Sequence, residues 1–250
     1  MLEKQNGSLI YGLHAVKAAL QQTTTSITKL YLLQDKVAHE FAAIEKQARK
    51  QQIQIIYSSR EQLDQLLPNA KHQGIIAICQ TDKEYFESDL PALIEAVSGP
   101  AFLLILDGVQ DPHNLGACLR TASAAGVHAV IAPKDRAVGI TPTVRKVASG
   151  AAEFVPFIPV TNLARTMRWL KEQGIWLYGA TEEGSNNLYQ ADLSGPIAIV
   201  LGAEGAGMRQ LTKQHCDVLF YIPTSGAIGT LNVSVATGVC LFEALRQRLK

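Results

Sequence analysis

Two kinds of hydrophobic pattern alternate in the first part of this 250-residue chain. Apolar positions spaced three and four apart predict helices over residues 12–22 and 37–51. Shorter runs that are rich in β-branched residues predict strands over residues 28–33, 53–57 and 75–79. Helices and strands that alternate over so short a stretch are typical of a small α/β domain.

Continuous apolar runs dominate the chain after residue 100. They predict strands at residues 102–106, 128–131, 175–180, 197–201 and 218–222, and helical patterns separate them at 114–125, 163–173 and the C-terminal segment. A strand that is apolar at every position is covered on both faces, as in a parallel sheet. The alternation therefore predicts an α/β fold with a mostly parallel, doubly wound sheet. Ligands of such sheets bind beyond the carboxyl ends of the strands, so the polar loops there are the candidate sites.

An acidic stretch lies between these two patterns. Residues 81–99 carry most of their charge on Asp and Glu and end in Gly99 before Pro100, which is typical of a linker with one short helix. We therefore expect an N-terminal domain over residues 1–80, a linker over 81–99 and a larger domain over 100–250.

Composition narrows the function classes only a little. The formal net charge of +1 does not by itself indicate a nucleic-acid partner. No apolar run reaches the roughly 18 residues of a membrane span, and the first six residues lack the apolar core of a signal peptide, so we expect a cytoplasmic protein without membrane contact. The four cysteines are far apart, which argues against a disulfide framework or a metal site.

The first polar loop follows the first strand of the larger domain and leads into a helix. Asp111 is the expected N-cap, and Pro112 suits the first helical position. Arg120 lies one turn beyond Gly116, whose missing side chain would leave room for the guanidinium to meet a bulky polyanion. The alternatives are a solvated Arg120 and an Asn114 that satisfies backbone groups at the helix start.

The second polar loop, residues 201–208, places three glycines around Glu204. Such a loop after a buried strand allows close backbone contact with a ligand. The glycines fall at 202, 205 and 207, which is not the spacing of a dinucleotide-binding loop, so nicotinamide binding is disfavoured.

The third polar loop runs from Tyr221 to Asn232 and is followed by the last helix. Asn232 is the expected N-cap of this helix, and apolar residues lie along one of its sides at Val235, Val239, Phe242, Leu245 and Leu249. Free backbone N–H groups at a helix start suit a polar or anionic ligand group, although an ordinary strand-to-helix connection would also have this form.

In this order, the three loops resemble the three motifs of the SpoU branch of the SPOUT RNA methyltransferases. The matching segments are Asn114 to Arg120, Leu201 to Gly207, and Ile222 to Ala236. Residues 11–20 and 72–75 resemble the N-terminal RNA substrate-binding domain of the same family. The resemblance implies S-adenosylmethionine as the methyl donor, a homodimer, and a SPOUT fold with a C-terminal trefoil knot. Within the family, the likeness is greatest to enzymes that methylate a guanosine ribose 2′-hydroxyl in the peptidyl-transferase loop of 23S rRNA.

The resemblance also assigns residues. It implies catalytic roles for Asn114, Arg120, Glu204, Thr230 and Asn232, and cofactor contacts for Thr181, Leu201, Gly202, Gly207, Ile222, Leu231 and Asn232. Two positions depart from the family pattern, because serine is usual at Thr230 and methionine at Thr224. We expect Arg120 to hold an RNA phosphate and the 2′-oxygen. Its role as a base is open, since a guanidinium is very hard to deprotonate.

Three other functions are compatible with parts of this pattern. A tRNA 2′-O-methyltransferase of the same family would share every motif, although the N-terminal domain argues against it. A non-catalytic ribosome-assembly factor could bind RNA with the same fold, but it would have little use for the catalytic set. A nicotinamide-dependent enzyme is disfavoured by the glycine spacing.

Overall fold

A computed structural model describes residues 8–21, 26–34, 41–68, 70–80, 84–226 and 229–249. The chain forms two compact units, Met1–Glu84 and Tyr85–Lys250. The segment that we expected to be a linker holds a short helix, α4 (Leu90–Glu95), within the second unit. Its Leu90 is buried in the core of that unit. The division at residues 80 and 100 stays a prediction.

Within its described residues, the first unit contains a four-stranded sheet and three α-helices. The strands are β1 (Ser8–Tyr11), β2 (Ser26–Leu33), β3 (Gln54–Ser58) and β4 (Ile75–Gln80), and the helices are α1 (Leu13–Gln21), α2 (Ala42–Lys50) and α3 (Arg60–Leu66). The strand order is β1-β4-β2-β3, in which β4 is antiparallel to both neighbours and β2 is parallel to β3. Residues 37–40 of the second predicted helix lie outside the described residues.

The second unit contains a seven-stranded sheet in which every neighbouring pair is parallel, in the order β7-β6-β5-β10-β8-β11-β9. The strands are β5 (Phe102–Asp107), β6 (Ala129–Pro133), β7 (Phe157–Val160), β8 (Trp176–Ala180), β9 (Asn186–Asn187), β10 (Ile197–Gly202) and β11 (Val218–Tyr221). The helices after α4 are α5 (Pro112–Ala125), α6 (Pro142–Ala148), α7 (Leu163–Glu172), α8 (Gln210–His215) and α9 (Val233–Arg248). The predicted parallel α/β sheet is confirmed.

Helices cover both faces of this sheet, which explains the continuous apolar runs. Along β5, Leu104 and Leu106 pack in one cluster with residues of α5, α6 and α9. The alternate residues Leu103 and Ile105 pack in a second cluster with residues of α4 and α7. Because successive side chains of a strand point to opposite faces, a strand between two helical layers must be apolar throughout.

Helix α9 is apolar on two sides. Its buried residues are mostly apolar: Val233, Thr237, Cys240, Leu241, Glu243 and Ala244. Of the apolar side that the sequence pattern singled out, Val235, Phe242 and Leu249 are exposed, whereas Val239 packs against the core. When a helix has apolar residues on two sides, their spacing in the sequence does not reveal which side is buried.

Four loops leave the same edge of the sheet in the region of the three motifs. Gly202, the last residue of β10, is the register partner of Asp107, the last residue of β5. Strand β8 lies between β10 and β11 and is parallel to both. The loops after β5, β8, β10 and β11 therefore emerge next to one another at the carboxyl edge. The trefoil knot implied by the family resemblance stays a prediction.

Candidate active site

A cavity of about 520 Å³ opens at the carboxyl edge of the larger sheet. Segments that follow β8, β10 and β11, together with the start of α9, form its walls. Most of the predicted site residues line this cavity: Thr181, Leu201, Gly202, Glu204, Gly207, Ile222, Thr230, Leu231 and Asn232. The structure thus brings together residues that are up to about 50 positions apart in the sequence.

A hydrogen-bonded cluster of three side chains joins the three motif loops. The Asn114 side chain donates from Nδ2 to Oε2 of Glu204 at 3.0 Å. Asn232 donates from its Nδ2 to Oδ1 of Asn114 at 3.1 Å and to Oε2 of Glu204 at 3.3 Å. One carboxylate oxygen thus accepts from two amides, which fixes the orientation of both.

Asn232 also caps helix α9, as the sequence predicts. Its Oδ1 accepts from the backbone N–H of Ser234 at 2.9 Å and from the Ser234 hydroxyl at 2.6 Å. The cap thereby turns Nδ2 toward the cluster. At the start of α5, Asp111 takes the capping role by accepting from the His113 N–H, which lowers the pKa of its carboxyl. Asn114 is therefore not needed as a cap and is buried in the cluster.

Glycines allow the second loop to fold back on itself. A Cβ built on Gly202 would lie 2.0 Å from the backbone carbon of Gly207, a distance that no side chain can occupy. Ala203 and Gly207 exchange backbone hydrogen bonds of 3.2 and 2.9 Å. Gly207 has a φ of +65°, which favours glycine. These glycines therefore serve the turn itself, and the turn presents its backbone to the cavity.

An ion pair between the buried Asp107 and the exposed Arg209 holds the end of the same loop. Asp107 is 1% exposed, and its carboxylate accepts from the backbone N–H of Arg209 at 2.9 Å and from its Nε at 2.7 Å. Nη2 of Arg209 also contacts the Asp107 carboxylate. Because Asp107 ends β5 and Arg209 ends the glycine loop, this ion pair ties the loop to the central strand. The sequence pattern did not single out either residue.

The third loop contains both departures from the family pattern, Thr224 and Thr230. The Thr224 hydroxyl donates to the backbone carbonyl of Gly229 at 3.4 Å, a bond that methionine could not make. Thr224, Gly229 and Thr230 all line the cavity. Ala227 and Ile228, between them, lie outside the described residues.

Arg120 is the predicted catalytic residue that neither lines the cavity nor belongs to the hydrogen-bonded cluster. It is exposed, it is not among the residues that line the cavity, and it makes no hydrogen bond or ion pair with the described residues. The interpretation of Gly116 as open space for its guanidinium is wrong. Gly116 is buried against α6, where an added Cβ would lie 2.7 Å from Cβ of Val147. Glycine is needed at position 116 because α5 and α6 pack closely there.

Helices α5 and α9 are joined behind the cluster. Sγ of Cys118 lies 3.2 Å from the Thr237 hydroxyl, which itself donates to the carbonyl of Val233 at 2.7 Å. Burial raises the pKa of Cys118 to about 11, so its thiol stays neutral. This contact fixes the start of α9, and with it Asn232, against α5.

Several residues of the cavity wall were missed by the sequence analysis. Glu182 and Glu183 follow β8, Lys213 lies on α8, and Tyr221 ends β11. Lys213 donates to Glu183 at 2.9 Å. The rule that ligands gather beyond strand ends could have pointed to Glu182 and Glu183. The short helix α8 has no side-chain cap that would have marked its start.

The charges of the cavity wall favour a cationic ligand. Among the described residues that line it, three side chains are carboxylates (Glu182, Glu183 and Glu204) and Lys213 is the single basic one. Within the described ranges, no group of three or more His, Cys, Asp and Glu side chains is arranged to hold a metal ion. None of the helices in those ranges is long and apolar enough to cross a membrane.

Two family models match the chain. The model described as SpoU rRNA Methylase family matches residues 101–242, which include the cavity and the three motifs. The chain belongs to the SpoU rRNA methylase family. A second model, described as RNA 2′-O ribose methyltransferase substrate binding, matches residues 9–85, which contain all four strands of the smaller sheet except the first residue of β1.

Relatives of this SpoU protein are similar over nearly its whole length. A protein of Pectobacterium atrosepticum named 23S rRNA (guanosine-2′-O-)-methyltransferase RlmB is 52% identical over 96% of this chain and 98% of that protein. The protein of the same name from Escherichia coli strain K12 has the same identity and coverage. A crystal structure described as an RNA 2′-O ribose methyltransferase is 27% identical, with a TM-score of 0.72 over 99% of this chain and 91% of that one.

Proposed function

We propose that this protein transfers a methyl group from S-adenosylmethionine to the ribose 2′-hydroxyl of a guanosine in 23S rRNA. The observation that carries this proposal is the hydrogen-bonded cluster of Asn114, Glu204 and Asn232, which joins the first motif loop to the two motif loops that line the cavity. The relatives of the same length bear the corresponding name.

The cavity fits the cofactor that the family uses. Its volume of about 520 Å³ lies in the usual range for small-molecule sites, roughly 300–1,000 Å³. A wall with three carboxylates and one ammonium group suits a ligand that carries a sulfonium cation. Gly202, Ile222 and Leu231 would hold the adenosyl part chiefly through their backbone, and Thr181 and Asn232 lie beside them.

The residues of the chain have mainly to position the reactants. When bound, S-adenosylmethionine supplies an already activated methyl carbon. Glu204 and Asn232 keep the pocket in shape, and the Thr230 hydroxyl is available to a polar group of either reactant. Arg120 holds the RNA phosphate and the 2′-oxygen. In-line attack depends on this positioning, which can supply a large share of the rate enhancement.

We propose that the functional protein is a homodimer built on the outward apolar side of α9. Val235 is 51% exposed, Phe242 49% and Leu249 77%, and all three lie on one side of the helix. A continuous apolar surface of this kind usually marks an interface. Since α5 packs against α9, the exposed Arg120 on α5 would then be available to the cavity of the second copy.

The smaller unit is the proposed determinant of RNA choice. Folded RNA is recognised through its shape and its unstacked single-stranded bases, which the cavity alone cannot select. The match of residues 9–85 to a substrate-binding model supports this assignment. Since rRNA is the proposed substrate, we place the protein in the cytoplasm.

The alternative functions differ in what they would bind and modify. A non-catalytic assembly factor would bind RNA without S-adenosylmethionine, so titration calorimetry with the cofactor separates it from an enzyme. A tRNA methyltransferase would label tRNA in preference to 23S rRNA. The similarity of the whole chain, including the smaller unit, to proteins named for 23S rRNA favours the rRNA substrate.

The function is tested by offering the purified protein tritiated S-adenosylmethionine with 23S rRNA and tRNA transcripts. We expect label on a single guanosine ribose of 23S rRNA and none on tRNA. Mapping of 2′-O-methyl groups in rRNA from cells with and without the protein identifies the nucleotide. Label that appears only on tRNA, or no label on either RNA, would reject the proposal.

A further inference from the structure

We propose that Tyr189 and Tyr221 form a surface, the tyrosine surface, on which an unpaired RNA base next to the modified nucleotide stacks. The inference rests on the proposed function, because it concerns the RNA whose ribose enters the cavity. It adds a contact at the cavity mouth that belongs to the larger unit itself, in addition to whatever the smaller unit recognises.

Strand pairing places the two tyrosines at the same edge of the sheet. Tyr221 ends β11, lines the cavity and is 36% exposed. Its register partner in the parallel strand β9 is Asn187, the last residue of that strand. Tyr189 follows two residues later in a short 3-10 turn, Leu188–Gln190. Both tyrosines therefore lie at the carboxyl edge, where the cavity opens.

The local structure holds Tyr189 out from the protein. Its side chain is 55% exposed, whereas the preceding Leu188 is fully buried in the main core cluster. The backbone N–H of Tyr189 donates to Oδ1 of Asn187 at 3.0 Å, which caps the turn. An anchored and capped turn fixes the position of an exposed aromatic ring, so less conformational entropy is lost when a base stacks on it.

The charges at this edge favour a base over a phosphate. Glu182 and Glu183, which follow the neighbouring strand β8, are both exposed. Their carboxylates repel the RNA backbone, and Lys213 offsets only one of them. An aromatic ring, in contrast, binds the neutral face of any base. A nucleotide that presents its ribose to the cavity must leave the RNA stack, and its neighbours then need a new stacking partner.

The test measures RNA affinity by fluorescence anisotropy with a labelled 23S rRNA fragment that contains the peptidyl-transferase loop, at several KCl concentrations. We expect Tyr189→Ala to weaken binding by about 5- to 150-fold, the range for loss of one stacked base. The slope of log affinity against log salt should stay unchanged, since no phosphate contact is lost. Affinity for S-adenosylmethionine should also stay within about twofold, because Tyr189 does not line the cavity.

Two matched variants define the control. Tyr189→Phe keeps the ring and should bind the RNA like the wild type. Trp176→Ala removes an aromatic ring that is 56% exposed at the start of β8, which is the opposite, amino edge of the same sheet. It should leave RNA affinity unchanged.

Replacing the stacked base with an abasic site should abolish the difference between wild type and Tyr189→Ala.

The inference is overturned if Tyr189→Ala binds the RNA within about twofold of the wild type, or if Trp176→Ala loses as much affinity. A reduced salt slope would also overturn it, because the contact would then be with phosphate. These outcomes differ from failure of the proposed function. If the proposed function is wrong, the wild-type protein itself transfers no methyl group to 23S rRNA.

Discussion

Asn114 and Arg120 lie within two turns of each other on helix α5, and the family resemblance implies a catalytic role for both, yet the structure gives them opposite surroundings. Asn114 is buried and bonded to Glu204 and Asn232 at the cavity. Neither residue lines the cavity, but Arg120 is exposed and makes no hydrogen bond with the described residues. In the proposed homodimer, one chain would therefore supply the cofactor half of the site, and the half that handles RNA would require Arg120 of a second copy. The predictions below test this division.

The largest effect is expected from Arg120→Ala. Loss of a preorganised donor at the reacting oxygen should lower the rate of methyl transfer by about 10²- to 10³-fold. S-adenosylmethionine affinity should stay within about twofold, because Arg120 is not among the residues that line the cavity. Tritiated-methyl assays and titration calorimetry measure the two quantities. Arg168→Ala, which alters an exposed arginine of α7, serves as the control. Unchanged turnover would remove Arg120 from the site.

A comparable loss is expected when the outward side of α9 is made charged. The double variant Val235→Glu, Phe242→Glu should sediment as a monomer in analytical ultracentrifugation, since two buried carboxylates would oppose the interface. Methyl transfer should then fall as far as in Arg120→Ala, while cofactor binding survives. Leu211→Glu changes an equally exposed leucine on α8 and should remain a dimer. A double variant that is still dimeric would place the interface elsewhere.

An intermediate effect is expected at Glu204. Glu204→Ala leaves two amide groups without their shared acceptor, which should weaken S-adenosylmethionine binding by about tenfold. Glu204→Gln keeps an acceptor oxygen and should cost only about threefold. Calorimetry provides both dissociation constants. Equal losses in the two variants would mean that the charge of Glu204 matters more than its hydrogen bonds.

The smallest effect is expected at Thr224. Thr224→Met restores the residue usual in the family and removes a long, exposed hydrogen bond to Gly229. Such bonds contribute about 0.5 kcal/mol, so cofactor affinity should fall by less than about threefold. Thr224→Ser keeps the hydroxyl and should match the wild type. A loss above about tenfold would show that this hydroxyl has a direct part in the pocket.

The sequence predicted the central strands of the larger sheet because burial on both faces makes them apolar throughout. It did not predict β7 and β9, which lie at the two ends of the sheet. Strand β7 contains Pro159, and edge positions are where proline is tolerated. Strand β9 has only two residues, which is too few to show a period. The missed strands are thus those with the fewest neighbours.

The predicted site was incomplete for a different reason. Motif order was sufficient to predict that Asn114, Glu204 and Asn232 lie close together, since each follows a strand or begins a helix at the sheet edge. The ion pair of Asp107 with Arg209 joins residues about 100 positions apart, and no local pattern marks such a pair. The direction in which Arg120 points depends on how α5 packs against α6 and α9, which spacing along the chain does not determine.

The most direct test of this division is a dimer assembled from two different inactive copies. One copy carries Arg120→Ala, and the other carries Glu204→Ala with Asn232→Ala. Two affinity tags allow purification of the mixed dimer. If Arg120 acts on the cavity of its partner, one of the two sites is complete and about half of the wild-type activity should return. If Arg120 serves its own cavity, both sites remain defective, and a mixed dimer without activity would contradict the account.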